Sequence, residues 1–155
     1  MLITAKNVVK KFDKFTALNH FNMNVPEGSI YGLVGPNGSG KTTTIKHLIG
    51  MYKQDEGKIL VNDEKVYDNE KVKSKIAYIS DDLYFFHGYS IKDMAKFYSK
   101  IYKDFSFEKF NDLQKVFNID IKRKVNKLSK GMKKQVAFWL TISCNPEIMI
   151  LDEPI

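Results

Sequence analysis

Apolar positions recur along this chain with two different periods, and the change from one to the other divides it. Ile3 to Val9 and Phe15 to Val25 show short apolar-polar alternations, with Leu18, Phe21, Met23 and Val25 in the second, which predict strands ending at Pro26-Glu27-Gly28. Ser29 to Val34 is an apolar run, read as a strand entering a glycine-rich loop. Lys41 to Ile49 then reads as a helix closed by Gly50. Gly57 to Val61, Asn62-Asp63 and Lys65 to Tyr67 carry a hairpin pattern, and Lys75 to Ser80 predicts another short strand.

From Ile91 the period lengthens. Ile91, Met94, Ala95, Tyr98, Ile101 and Tyr102 fall on one helix face, and Phe107, Phe110, Leu113 and Phe117 mark a second, so Ser90 to about Asn118 is predicted helical. Ser129 can cap a further helix to about Ser143, with Met132, Val136, Trp139, Leu140 and Ser143 along its inner stripe. Glu147 to Leu151 is an apolar strand stopping at Asp152-Glu153-Pro154. Apolar strands with helices between them predict an α/β fold with a parallel sheet.

Composition narrows this picture only slightly. The chain has 155 residues, 43% hydrophobic and 28% charged, which suits one globular domain or part of one. The longest largely apolar stretch, Val136 to Cys144, is far shorter than a bilayer-spanning helix requires. The opening residues lack the basic and apolar segments of a signal peptide, so the expected compartment is the cytoplasm. Cys144 is the single cysteine and reads as a small buried hydrophobe. The net charge of +7 comes largely from scattered lysines, which describe a solvated surface better than a nucleic-acid patch.

Candidate chemistry sits at two places. Gly35-Pro36-Asn37-Gly38-Ser39-Gly40-Lys41-Thr42 completes the phosphate-loop pattern between a predicted strand and a helix. Glycines let successive N–H groups form a concave anion cradle, the helix start adds partial positive charge, and Lys41 adds a full one near the β- and γ-phosphates of ATP. The Thr42 hydroxyl is a ligand for Mg²⁺. At the second place, Ile148 to Leu151 delivers Asp152, placed to hold Mg²⁺, and Glu153, placed as general base. Such a pair alone is commonly a solvated turn; with the phosphate loop it predicts nucleotide hydrolysis.

Three motifs in this order resemble the ATP-binding subunit of ABC transporters. They are Gly35 to Thr43 as Gly-Pro-Asn-Gly-Ser-Gly-Lys-Thr-Thr, then Leu128-Ser129-Lys130-Gly131-Met132-Lys133-Lys134-Gln135, similar to the family signature Leu-Ser-Gly-Gly-Gln, and Leu151-Asp152-Glu153-Pro154. The resemblance implies a P-loop NTPase core with an N-terminal antiparallel β-subdomain and an inserted helical subdomain at about residues 83–137. Residues 1–155 would form one incomplete ATP-binding domain. It implies ATP and Mg²⁺ as ligands, with Ser129 and Gly131 meeting the phosphate of an ATP held by a second ATP-binding subunit. Ser129 capping its own helix is compatible with that role.

Phe12 falls where the family stacks an aromatic on adenine; a core phenylalanine is the alternative, and Phe15 replaces it if the register slips. Asp81 stands where many members place a metal-touching glutamine. A membrane-spanning permease partner would hold the subunit at the inner face of the membrane. The signature wording, with Lys130 and Met132, is similar to that of exporters linked to drug and antibiotic resistance. The rival is a soluble ABC-type ATPase acting on ribosomes or DNA; those relatives carry inserted helices that are absent between loop and signature here, so no nucleic-acid partner is expected. A degenerate, non-hydrolysing regulator ranks below both. The family's switch histidine lies downstream of the second carboxylate, whereas His20, His47 and His87 all precede it. The 155-residue chain is therefore expected to leave an apolar sheet edge exposed, to bind ATP weakly and to hydrolyse it little or not at all.

Overall fold

The computed structural model describes residues 1–153, in two compact units, one ending at Ile76 and the other beginning at Ala77. Pro154 of the carboxylate motif lies outside the described residues.

The first unit is an antiparallel sheet in the order β2-β1-β3-β4, with β1 at Ile3–Phe12, β2 at Phe15–Val25, β3 at Glu56–Val61 and β4 at Glu64–Lys65. Ile3 and Ala5 pair with Val25 and Met23 on one side and with Val61 and Ile59 on the other, and all six are buried. The alternation then slips: Ala5 and Val8 both face inward because the register shifts between them, at Asn7 with φ 49°. Asn62 and Asp63 take positive φ at 49° and 61°, the two-residue turn the hairpin pattern predicted. Helix α1, Lys41–Leu48, follows the glycine loop and ends before Gly50 at φ 70°.

One predicted strand is missing. Residues 29–34 pair with no strand among the described residues; Ile30 is fully exposed and Val34 is 92% exposed. An apolar run becomes a strand only through a partner ladder, and here its backbone groups face solvent instead. The strand-loop-helix context inferred for the phosphate loop reduces to loop and helix.

Strand β5, Ile76–Ile79, falls in the second unit but for its first residue and forms a two-stranded sheet with β6, Ile148–Leu151. The short α2, Glu70–Lys73, precedes β5 in the first unit. Helices α3, Ile91–Ile101, α4, Phe107–Phe117, and α5, Lys130–Ser143, supply the second unit's core. The predicted helical stretch 90–118 is broken at 102–106, where Tyr102 turns extended and the Ser106 N–H donates to the Ser143 carbonyl at 2.8 Å. Trp139 is the centre: Phe110 stacks on it at 4.6 Å, Phe117 at 5.7 Å, and its indole N–H donates to the Phe110 carbonyl at 2.7 Å. That bond satisfies the only polar atom of a fully buried ring. Cys144 is buried as read, its thiol donating to the Leu140 carbonyl at 3.3 Å; burial pushes its pKa up to about 12. Among the described residues no helix is long and apolar enough to cross a membrane.

Candidate nucleotide site

The glycine loop is shaped by backbone angles that side chains resist. Gly38 and Gly40 sit at φ 81° and 90°, and a Cβ on Gly40 would lie 2.7 Å from the Ala17 carbonyl oxygen of β2. Gly35 and Gly40 are half-buried, whereas Pro36, Asn37, Gly38, Ser39 and Thr42 face solvent. Gly40 is the N-cap of α1, so no side chain caps the helix, and its first turn contains no acidic residue. Its free N–H groups and dipole point toward the loop without a counter-charge. The Lys41 ammonium folds back over the loop, donating to the Gly35 carbonyl at 2.6 Å and the Pro36 carbonyl at 2.9 Å. Thr43 accepts from the His47 ring Nδ1 at 2.7 Å through its carbonyl.

Phe12 is not a core residue. It pairs with Phe15 across the hairpin tip and is 40% exposed, with Phe15 more exposed still. Tyr52 approaches its ring edge-on at 5.5 Å, and the Lys10 ammonium lies 5.4 Å from the Phe12 centroid. Tyr52 went unnoticed in the sequence because it lies in the loop after α1, outside any period.

The second unit gathers the carboxylates. The Asp152 N–H donates to the Ile79 carbonyl at 3.0 Å, so β5 and β6 end together, and the Tyr78 hydroxyl reaches the Asp152 carboxylate at 3.4 Å. Glu153 is exposed and takes φ 46°, an unusual angle for a long side chain, in the class of backbone strain that clusters at functional sites. Asp81 ion-pairs with Lys134 at 3.6 Å, and the Lys134 ammonium also donates to the Glu153 carbonyl at 3.0 Å. Lys134 carries no local signal in the sequence, because Asp81 is far from it along the chain and meets it only in space. Ser129 caps α5 by accepting from the Met132 N–H at 3.2 Å, and Gly131 stands in the first turn with open space around its Cα.

The Thr42 hydroxyl of the first unit and, separately, the Asp152 carboxylate of the second are each hard oxygen donors of the kind Mg²⁺ takes. Among the described residues no group of three His, Cys, Asp or Glu side chains assembles a protein cage.

The family model described as ABC transporter matches residues 18–155, a range that holds the glycine loop and start of α1, the Ser129 start of α5 and the carboxylates at the end of β6. The chain belongs to the ABC transporter ATP-binding family. It is 31% identical over 153 residues to the ATP-binding protein YtrB of Bacillus subtilis, covering 99% of this chain and 52% of that protein. It is 31% identical to the bacitracin transport ATP-binding protein BcrA of Bacillus licheniformis, covering 99% and 51%. To the lantibiotic transport ATP-binding protein SrtF of Streptococcus pyogenes it is 32% identical, covering 99% and 66%. The chain thus spans about half the length of the first two of these curated relatives. A solved ATP-binding subunit of an ABC transporter superposes with a TM-score of 0.88 at 25% identity, covering all of this chain and 67% of the other. An ABC transporter ATP-binding protein of Pyrococcus furiosus superposes with a TM-score of 0.86 at 26% identity, covering 99% and 76%.

Proposed function

We propose that this chain is the nucleotide-binding part of an ABC transporter ATPase, coupling ATP binding and hydrolysis to transport through a membrane permease. The observation that carries it is the uncapped N-terminus of α1, behind a glycine loop and beside the Lys41 ammonium. Loop N–H groups and Lys41 bind the β- and γ-phosphates, exchanging the two carbonyl bonds of Lys41 for phosphate oxygens. Gly35, Pro36, Asn37, Gly38, Ser39 and Gly40 form the cradle, and Thr43 supports it. Phe12 stacks on the adenine. Thr42 and Asp152, with Asp81 as a third oxygen donor, hold Mg²⁺, which when bound offsets the negative charge of the transferring phosphoryl group. Glu153 accepts the proton of the attacking water. Ser129 and Gly131 meet the phosphate held by a second subunit.

A fluorescent ATP analogue tests the reading. Lys41→Ala is expected to lower affinity by at least about tenfold, a loss of about 1.4 kcal/mol or more. Glu153→Gln is expected to leave affinity within about twofold while abolishing whatever hydrolysis the chain shows. Equal losses of affinity in both variants contradict the assigned roles.

For direction we favour export, supported by the names of the bacitracin and lantibiotic relatives. Relatives named for sulfate import are also similar, at 30% identity. Deleting the gene in its host is expected to sensitise cells to peptides of the bacitracin or lantibiotic class; unchanged sensitivity counts against export.

A further inference from the structure

Lys134 stands near the N-terminus of α5, where the helix dipole disfavours a cation, and its side chain is only 15% exposed. A lysine in that place loses hydration and needs compensation. It finds it on two segments that carry chemistry: the Asp81 carboxylate in the loop after β5 at 3.6 Å, and the Glu153 carbonyl just beyond β6 at 3.0 Å. The backbone link from Asp152 to Ile79 closes the same circuit from the strand side.

We propose that Lys134 is a positioning residue, a charged latch that holds the loop after β5 and the end of β6 against α5. It rests on the reading that these carboxylates serve ATP. The consequence is mechanical: displacement of the Asp81 loop pulls on the α5 start and on the backbone of Glu153 through one ammonium group. Asp81 also carries a charge already matched by Lys134, so a metal ion reaching that carboxylate competes with the latch.

Backbone amide hydrogen exchange over residues 79–83 and 152–153 of the 155-residue chain tests this. Lys134→Met and Asp81→Asn are each expected to speed exchange at 79–83 by about three- to tenfold at low salt. The double variant should exchange no faster than either single one, and Lys134→Arg should retain protection. Raising salt to about 1 M should speed the unmodified chain toward the variants and leave the variants unchanged. Additive effects, salt-insensitive protection, or alike exchange in every variant would overturn the latch. If Lys134→Met does not fold, Asp81→Asn and the salt series decide alone. ATP binding is measured on the same samples: absence of binding by the unmodified chain refutes the proposed function while the exchange data still judge the latch.

Discussion

Helices in this molecule begin in two ways. Helices α3, α4 and α5 each start with a serine whose hydroxyl accepts from the N–H three residues on, at 3.1, 3.1 and 3.2 Å. In α3 the Asp93 carboxylate also accepts from the Ser90 N–H at 3.1 Å, completing a capping box. Helix α1 starts with Gly40 and has neither a capping side chain nor an acid in its first turn. The capped helices settle their orphan donors internally and add stability. The uncapped one leaves its donors open, which is useful only if an anion arrives. Among the described helices of eight or more residues, the difference singles out α1 as the one start whose donors no side chain of the chain caps.

The largest effect that could break the comparison is expected at Gly40. Gly40→Val places a Cβ about 2.7 Å from the Ala17 carbonyl at φ 90°, in a backbone region a β-branched residue resists. The expected cost is about 2–4 kcal/mol in a denaturant melt, together with loss of ATP-analogue binding. Ser90→Gly, at the start of α3, should cost only a few tenths of a kcal/mol. Normal ATP binding by Gly40→Val would show that α1 needs no special start.

The sequence made these starts legible to different degrees. Ser129 and the Asn62-Asp63 turn were readable because local chemistry sets them: a hydroxyl three residues before an N–H, and two residues that tolerate left-handed angles. The phosphate loop was readable from its glycines. The run 29–34 misled, since its apolar residues describe a buried strand and burial depends on partners that local sequence does not name. Lys134 stayed hidden for the same reason. Its partners Asp81 and Glu153 are distant along the chain, and only the β5–β6 pairing brings them to one place.

A smaller effect sharpens the comparison at Ser129, which carries both a cap and a proposed phosphate contact. Ser129→Ala should lower stability by about 1 kcal/mol through loss of the Met132 bond. ATP affinity of the single chain should stay unchanged, because the proposed phosphate belongs to a second subunit. A weakened affinity in the monomeric chain would place Ser129 in its own nucleotide site and sink that assignment.

The smallest effect lies at the other end of α1, where cations normally gain from the dipole but His47 does not. The ring is 1% exposed, its Nδ1 donates to the Thr43 carbonyl at 2.7 Å, and its Nε2 has no hydrogen-bond partner among the described residues. Burial lowers its pKa most. The Thr43 carbonyl opposes that shift, Lys10 on β1 adds to it, and the Lys53 backbone and Asp55 oppose it more weakly. The unfolded chain therefore takes up a proton at about pH 6.5 that the native chain refuses. Stability attributable to His47 is complete above that pH and falls as pH drops through 6.5 toward the lowered native value, by at most about 1.4 kcal/mol per pH unit. Asp55, whose pKa the Lys11 N–H and Lys10 hold low, acts only in a more acidic window. Denaturant melts between about pH 7 and pH 5 should show the His47 slope, and His47→Leu should flatten it. An unchanged slope in His47→Leu would mean that the ring is charged where it lies, and that α1 ends as an ordinary basic helix terminus after all.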